Sequence, residues 1–335
     1  MAGRASGNRY YTGPISDHFD GIRFFNPGGE EPKGLGGLLK WRFNGKSVAW
    51  PKSYPSPFEP AVPERRISGP QLVVTAVGHA SFLIQAAGLN ILTDPVWSER
   101  TSPFSSVGPK RVNAPGIRFQ DLPVIDIVIV THNHYDHMDL ATLKRLQEAH
   151  RPHFATPLGN DAILRPALGD ANITVVDWGD AVYAGKGVTL HCEPCHHWSA
   201  RGMRDRRMAL WAAFVIETPV GKIYHIGDTG FHGGINYAAA AEKHGSFRLA
   251  ILPIGAYEPQ WFMKAQHQNP AEAVQGMQLC RAATAIAHHW GTFKLTDEGI
   301  EEPLAALSVA LTEAGIRPER FRPLRPGEVF EVPDL

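Results

Sequence analysis

Three cysteines in 335 residues are too few, and odd in number, for a disulfide framework. Cys192, Cys195 and Cys280 read as packing residues of a reducing compartment. Cys192-Glu193-Pro194-Cys195 is formally C-x-x-C, but no second pair completes a structural zinc site, and a redox role is the alternative. The chain also lacks a run of about eighteen apolar residues, so no transmembrane helix is expected. Residues 1–14 carry no apolar core, so no secretory signal is expected either, and the expected location is cytoplasmic, with peripheral membrane contact as an option. Charge of one sign is missing too. Lys+Arg and Asp+Glu both number 33, which removes the overall field that would gather nucleic acid, and no nucleic-acid partner is expected. Oligomeric state cannot be read from the chain.

Histidine is abundant, with 16 residues, and its densest cluster organises the chain. Ile125-Asp126-Ile127-Val128-Ile129-Val130 reads as a buried strand. At its carboxyl end, where α/β sheets place their chemistry, stands Thr131-His132-Asn133-His134-Tyr135-Asp136-His137-Met138-Asp139. Asp139 then fits the N-cap of a helix whose face is marked by Leu140, Leu143 and Leu146. Imidazoles and a carboxylate in an H-x-H-x-D-H pattern are too costly to bury unpaired, and together they are the ligand set of a divalent transition metal.

Residues 1–70 are dense in Pro, Gly and aromatics, which excludes long helices and central strands. One short helix is expected at Gly36–Phe43. The rest should wrap over the main domain, 71–335, with Phe24, Phe25, Trp41, Trp50 and Phe58 as anchors. A membrane-touching or dimerising arm is the alternative. From Gln71 onward Gln71–Val77, Ser81–Ala86 and Asn90–Thr93 read as strands, with Ala87-Gly88 as a hairpin turn. Asp94 is either a turn cap or a carboxylate that orients a metal-bound histidine. His79 reads as a strand histidine, His267 as a surface-loop residue, and Lys110-Arg111 as a solvated pair. Further on, strands at 153–155, 173–178, 188–192, 211–217, 222–226, 249–254, 283–287 and 329–332 alternate with helices at 158–164, 238–244, 271–280 and 304–314. This interleaving predicts an α/β sandwich of two sheets with helices outside.

Further His and Asp recur at later strand ends: His196-His197, Asp228 in Gly227-Asp228-Thr229-Gly230, and His288-His289. Seven ligands divide into three plus three with one shared carboxylate. His132 and His134 alternate and can face one ion, Asp136 and His137 a second, and Asp228 is the candidate bridge.

On these residues the sequence resembles the metallo-β-lactamase fold superfamily and, within it, the N-acyl-phosphatidylethanolamine-hydrolysing phospholipase D family. The likeness runs from about Val77 to about Phe293. Matching stretches include Gly108-Pro109-Lys110-Arg111 and His289-Trp290-Gly291-Thr292-Phe293, and the much more specific one is Gly255-Ala256-Tyr257-Glu258-Pro259 with Trp261-Phe262-Met263-Lys264. The resemblance implies an αββα sandwich of two mixed sheets and two zinc ions, with iron or manganese as alternatives. His132, His134 and His197 would hold one ion, Asp136, His137 and His289 the other, with Asp228 between them. Asp136, Asp228 and His267 would be catalytic, His267 facing the scissile phosphate. Cys195-His196 departs from the animal enzymes just before the metal histidine. The expected function is hydrolysis of a phosphodiester, of a small molecule or a phospholipid, through a hydroxide held between the ions. A lactone or other carbonyl-ester hydrolase is the first alternative, and a non-catalytic metal-binding protein the second.

Overall fold

The computed structural model describes residues 7–104 and 106–334. Fourteen strands in these residues form two seven-stranded sheets packed face to face, with helices on both outer sides. The first sheet holds β1 (Leu72–Gly78), β2 (Ser81–Ala86), β3 (Leu89–Thr93), β4 (Ile127–Ile129), β5 (His153–Pro157) and β6 (Ile173–Val176) in chain order. The second runs from β7 (Ala181–Gly185) and β8 (Val188–Glu193) through β9 (Ala213–Thr218), β10 (Gly221–His225) and β11 (Phe247–Pro253) to β12 (Ala282–His288) and β13 (Phe321–Arg322). The last strand, β14 (Val329–Glu331), returns to the first sheet beside β1. Both sheets are mixed, so this is the two-sheet α/β sandwich expected from the interleaved pattern.

Apolar alternation explains the layers. On β11, Leu249 and Ile251 face the first sheet and meet Ile84, Ile91 and Phe214, whereas Ala250 and Leu252 face outward. That outward face is covered by Tyr237 of α4 (Ile235–His244), Val274 and Met277 of α5 (Pro270–Leu279), and Leu307 and Leu311 of α6 (Glu302–Glu313). Strands buried on both faces read as continuous apolar runs, which is why they were legible. Outside the first sheet, Leu143 and Leu146 of α2 (Leu140–His150) and Leu164 of α3 (Asp161–Leu168) pack on Leu83, Leu92, Val128 and Phe154. Truncating Leu146 to Ala would cost about 2–5 kcal/mol. Ala87 (φ 51°) and Gly88 (φ 73°) both take the left-handed conformation that a two-residue hairpin turn demands.

Several elements differ from expectation. β4 is shorter than expected, Ile127–Ile129, although Asp126 still donates its N–H to the Asn90 carbonyl and accepts from His153 N, while its carboxylate accepts from Asn90 N and pairs with Arg66. The helix placed at 158–164 starts at Asp161. Gly159, with φ 80°, and Asn160, whose amide donates to the carbonyls of Pro157 and Leu210, make a turn before it. The short edge strand β7 was not foreseen; its Tyr183 is exposed, and only the half-buried Val182 and Ala184 pack on the core. All three cysteines are free, buried thiols pushed up in pKa, first of all by burial, the opposite of what a redox site requires. No described helix is long and apolar enough to cross a membrane.

Of the segment 1–70, residues 1–6 lie outside the described residues. Phe24 is fully buried, Trp41 Nε1 donates to Asp297 Oδ2 at 2.8 Å, and Trp50 Nε1 donates to the Glu298 carbonyl at 2.8 Å. Phe58, expected as an anchor, is 45% exposed. The short helix is α1 (Leu35–Asn44).

Candidate metal centre

The carboxyl ends of β3, β4, β10 and β12 and the loop after β8 open at one edge of the sandwich. The β4 loop is fixed there by Asp94, whose two carboxylate oxygens accept from Thr131 N (2.8 Å) and Thr131 Oγ1 (2.7 Å). The same carboxylate accepts from His137 Nδ1 at 2.8 Å, so His137 presents Nε2 to the site. Asp94 therefore orients a ring, the second of its two readings. Downstream, Asp139 caps α2 through Ala141 N and also accepts from Ser98 N.

Two groups of ligand atoms converge at this edge. In the first, His132 Nε2 lies 2.9 Å from His134 Nδ1, which lies 3.2 Å from His197 Nε2. In the second, Asp136 Oδ2 lies 3.2 Å from His289 Nε2 and 3.7 Å from His137 Nε2. Asp228 Oδ2 stands between them, 3.9 and 3.8 Å from His132 and His197 and 3.1 and 3.0 Å from His137 and His289. All seven expected ligands are thus brought together. Asp228 is held there by the Gly227–Gly230 turn that ends β10.

Sequence reasoning missed one member. His79, read as a strand histidine, follows β1 with φ 56° and turns its Nε2 to within 2.9 Å of Asp136 Oδ2. The signal available was its place at a strand end beside Gly78. His267, read as a surface-loop residue, is 7% exposed, and its ring lies 5.1 Å from that of His197 and 5.0 Å from that of His289. No periodicity marks that turn, so only the resemblance pointed to it. Of the two histidine pairs, His197 and His289 enter the site. The His196 ring is spent on Glu30 N and the Ala265 carbonyl, and the buried His288 ring faces His225. Lys110 and Arg111 are not one solvated pair. Lys110 pairs with Glu99 at the surface, whereas Arg111 is buried, donates to the Val96 carbonyl and lies over Phe293.

The donor set fits divalent metal. Burial pushes the imidazoles of His134 and His197 down to about 3 and that of His132 well down, leaving them neutral, the form that ligates. Burial alone would raise the Asp136 and Asp228 carboxyls, but the His137 and His289 imidazoles beside both, with His79 at Asp136, together outweigh it and hold both well below the usual range. The carboxylates act back: against the opposing effect of burial, Asp228 raises His137, and Asp228 with Asp136 brings His289 up to about 9. Asp228 Oδ1 and His137 Nε2 have no hydrogen-bond partner although both are buried, and metal ions held by these side chains would relieve that cost. The open side faces a cavity of about 540 Å³. His134, Asp136, Asp228, His267 and His289 form its polar end, Leu35, Leu38 and Trp41 of α1 one wall, and Trp198, Phe262 and Met263 another, with Lys33 and Arg206 also on the lining.

Comparison with known proteins agrees with this geometry. The model of the beta-lactamase superfamily domain matches residues 89–290. N-acyl-phosphatidylethanolamine-hydrolyzing phospholipase D 1 of Caenorhabditis elegans is 37% identical over 273 residues, 78% of this chain and 76% of the relative. The mitochondrial N-acyl-phosphatidylethanolamine-hydrolyzing phospholipase D of Saccharomyces cerevisiae is 31% identical over 70% of this chain and 51% of its own length. Among solved structures, the isothiocyanate hydrolase from Delia radicum gut bacteria shares the fold, with a TM-score of 0.60 and 22% identity over 77% of this chain and 98% of that one. The chain belongs to the beta-lactamase superfamily, on the branch of the N-acyl-phosphatidylethanolamine-hydrolysing phospholipases D, and is a metal-dependent hydrolase.

Proposed function

We propose that this hydrolase cleaves the phosphodiester of a phospholipid, of the N-acyl phosphatidylethanolamine type, with a pair of zinc ions. The observation that carries the reading is the placement of Asp228 Oδ2 between two ligand groups at the polar end of an apolar cavity. His132, His134 and His197 would hold one ion, Asp136, His137 and His289 the other, and Asp228 both. When bound, such a pair supplies a nucleophile at neutral pH and stabilises charge on the attacking and leaving oxygens.

The chain's own residues do the rest. Asp94 and the Gln266 carbonyl fix His137 and His197 through their Nδ1 atoms, so their Nε2 lone pairs point inward. His79 steadies Asp136 from behind. His267, neutral because burial lowers its pKa to about 3, presents a ring to the cavity where a phosphoryl oxygen would lie and can donate to it. Lys33 and Arg206 add positive charge along the lining, and the guanidinium of Arg206 rests 4.6 Å over the Trp198 ring. Leu35, Leu38, Phe262 and Met263 offer acyl chains an apolar wall. The outer face of α1 exposes Leu39 and Phe43 beside Lys40 and Arg42, a composition suited to a lipid surface. We regard residues 1–70 as an arm on a hydrolase domain of 71–335.

The test is elemental analysis of the purified protein together with a substrate panel. Two zinc per chain, with turnover of bis-p-nitrophenyl phosphate and of N-acyl phosphatidylethanolamine vesicles, is the expected result. Turnover of lactones without phosphodiesters would replace the reading with a carbonyl hydrolase.

A further inference from the structure

We propose that His196 is a positioning residue that joins the N-terminal arm to the turn carrying His267, an inference that rests on the role given to His267 above. Sequence alone offered it as a rival metal ligand, because it adjoins His197. Its hydrogen bonds assign it elsewhere. Nδ1 lies 2.6 Å from the Ala265 carbonyl, and Nε2 lies 3.0 Å from the Glu30 backbone N–H. A carbonyl can only accept and an N–H can only donate, so the ring carries its proton on Nδ1 and offers a lone pair at Nε2. Both nitrogens are thereby spent, and neither remains for a metal.

The next residue repeats half of this pattern. His197 Nδ1 donates to the Gln266 carbonyl at 2.9 Å. Two successive histidines therefore grip two successive carbonyls, and the residue that follows those carbonyls is His267. The backbone of His196 completes the junction: its N–H donates to Thr229 Oγ1 at 3.0 Å, and its carbonyl accepts from Gly230 N at 2.8 Å. Thr229 follows Asp228, and its carbonyl accepts from Gln268 N at 2.8 Å. Arm, His197 loop, Asp228 turn and His267 turn thus meet at one residue, His196, its ring serving the arm and the His267 turn and its backbone the Asp228 turn; it is 2% exposed. The packing leaves no slack. A Cβ on Gly29 would stand 2.3 Å from His196 Nε2, and one on Gly230 would stand 2.6 Å from the Ala265 carbonyl oxygen. Asn26 adds a parallel tie, its amide donating to the His197 carbonyl at 2.9 Å. The arm is therefore coupled to the placement of His267.

Asparagine and glutamine separate the two halves of the clasp. The Asn amide can occupy the Nδ1 position and keep the Ala265 bond, whereas Gln reaches the Nε2 position and keeps only the Glu30 bond. The expected result is that His196→Gln leaves metal content per chain unchanged, speeds hydrogen exchange of the Gln266–Gln268 amides by about tenfold, and lowers kcat for bis-p-nitrophenyl phosphate more than it changes KM. His196→Asn should restore both readouts most of the way. Gly29→Ala should speed exchange in residues 24–34 and carry part of that change into Gln266–Gln268. Loss of metal in His196→Gln, equal behaviour of the Asn and Gln variants, or an exchange effect confined to the arm would each overturn the proposal. Exchange is read without substrate. A wild-type protein inert towards phosphodiesters would sink the phosphodiesterase reading, while the amides would still decide whether His196 holds the turn.

Discussion

The arm and the sandwich solve the same problem, covering apolar surface, by different means. In β1, β2 and β3 every residue is buried and the backbone is paired along both sides. Among the described arm residues only His18, Phe19, Phe24 and Ile67 are buried, and the backbone borrows its partners. Asn8 donates to the Met208 carbonyl, Tyr10 OH to Asp205, Phe24 N to the Arg207 carbonyl and Tyr54 N to the Val112 carbonyl. Single hydrogen bonds are worth about 0.5–1.5 kcal/mol each, whereas a sandwich core opens only as a whole. The ligand groups sit on the cooperative part. The cavity wall provided by α1 belongs to the segment with few buried residues. The ligand groups therefore rest on a buried, fully paired frame, whereas the α1 wall of the cavity rests on single ties such as Trp41 to Asp297.

Predictions sharpen that division, beginning with the largest effect. Asp228→Ala removes the one carboxylate near both ligand groups, so metal and activity should be lost together, by more than about 100-fold in each. Full activity with unchanged metal stoichiometry would end its bridging role. Phe24→Ala should weaken arm docking by about 3–5 kcal/mol. If the arm opens separately, this appears as faster protease cleavage within residues 7–70, while the main denaturation midpoint and the metal content stay put. A matching fall in that midpoint would show that arm and sandwich are one cooperative unit. Asp94→Asn keeps the shape but exchanges one acceptor for a donor facing Thr131 and His137; metal affinity should fall about 10–100-fold, measured by chelator competition.

The same division governs what the sequence disclosed. Sandwich strands were readable because burial on both faces writes uninterrupted apolar runs, as in Leu249–Ile254, and because polar residues then stand out at their carboxyl ends. His132, His134, Asp136, His137 and Asp228 emerged that way, whereas 196–197 and 288–289 emerged as histidine pairs from which the resemblance selected His197 and His289. Edge strand β7 escaped because its inward face is only Val182 and Ala184, too short an alternation to read. His79 escaped because a lone histidine after a glycine looks like any strand end, and its aim at Asp136 depends on a left-handed backbone that composition does not announce. The role of His267 came from resemblance alone, since its turn is held by carbonyl contacts from residues some 70 positions away. Burial of Arg111 was invisible for a related reason: its cover comes from Phe293, far along the chain.

The smallest expected effect lies at the arm's other fastening. His18 is buried against Trp178, with Nδ1 2.6 Å from Asp17 Oδ1 and Nε2 2.8 Å from Asp177 Oδ1. Burial disfavours its charge, but the hydrogen bonds to Asp177 and Asp17 outweigh it and raise its pKa above the ordinary 6.5. A raised histidine stabilises the docked arm fully below its unfolded pKa, and that contribution is lost as pH climbs through the docked value. Arm cleavage by a protease should therefore speed up severalfold between pH 6 and pH 8, after correction for the protease's own pH profile, and His18→Gln should flatten that dependence. Because Asp17 is largely exposed, most of the effect should come from Asp177, and Asp177→Asn should flatten the profile more than Asp17→Asn does. Metal content across the same range should be indifferent to all three substitutions, since His18 touches the sandwich through Asp177 and Trp178 and none of the ligand loops. A shift of metal content with His18→Gln would mean that the arm's outer fastening, and not only the contacts at Asn26 and Glu30, bears on the metal centre.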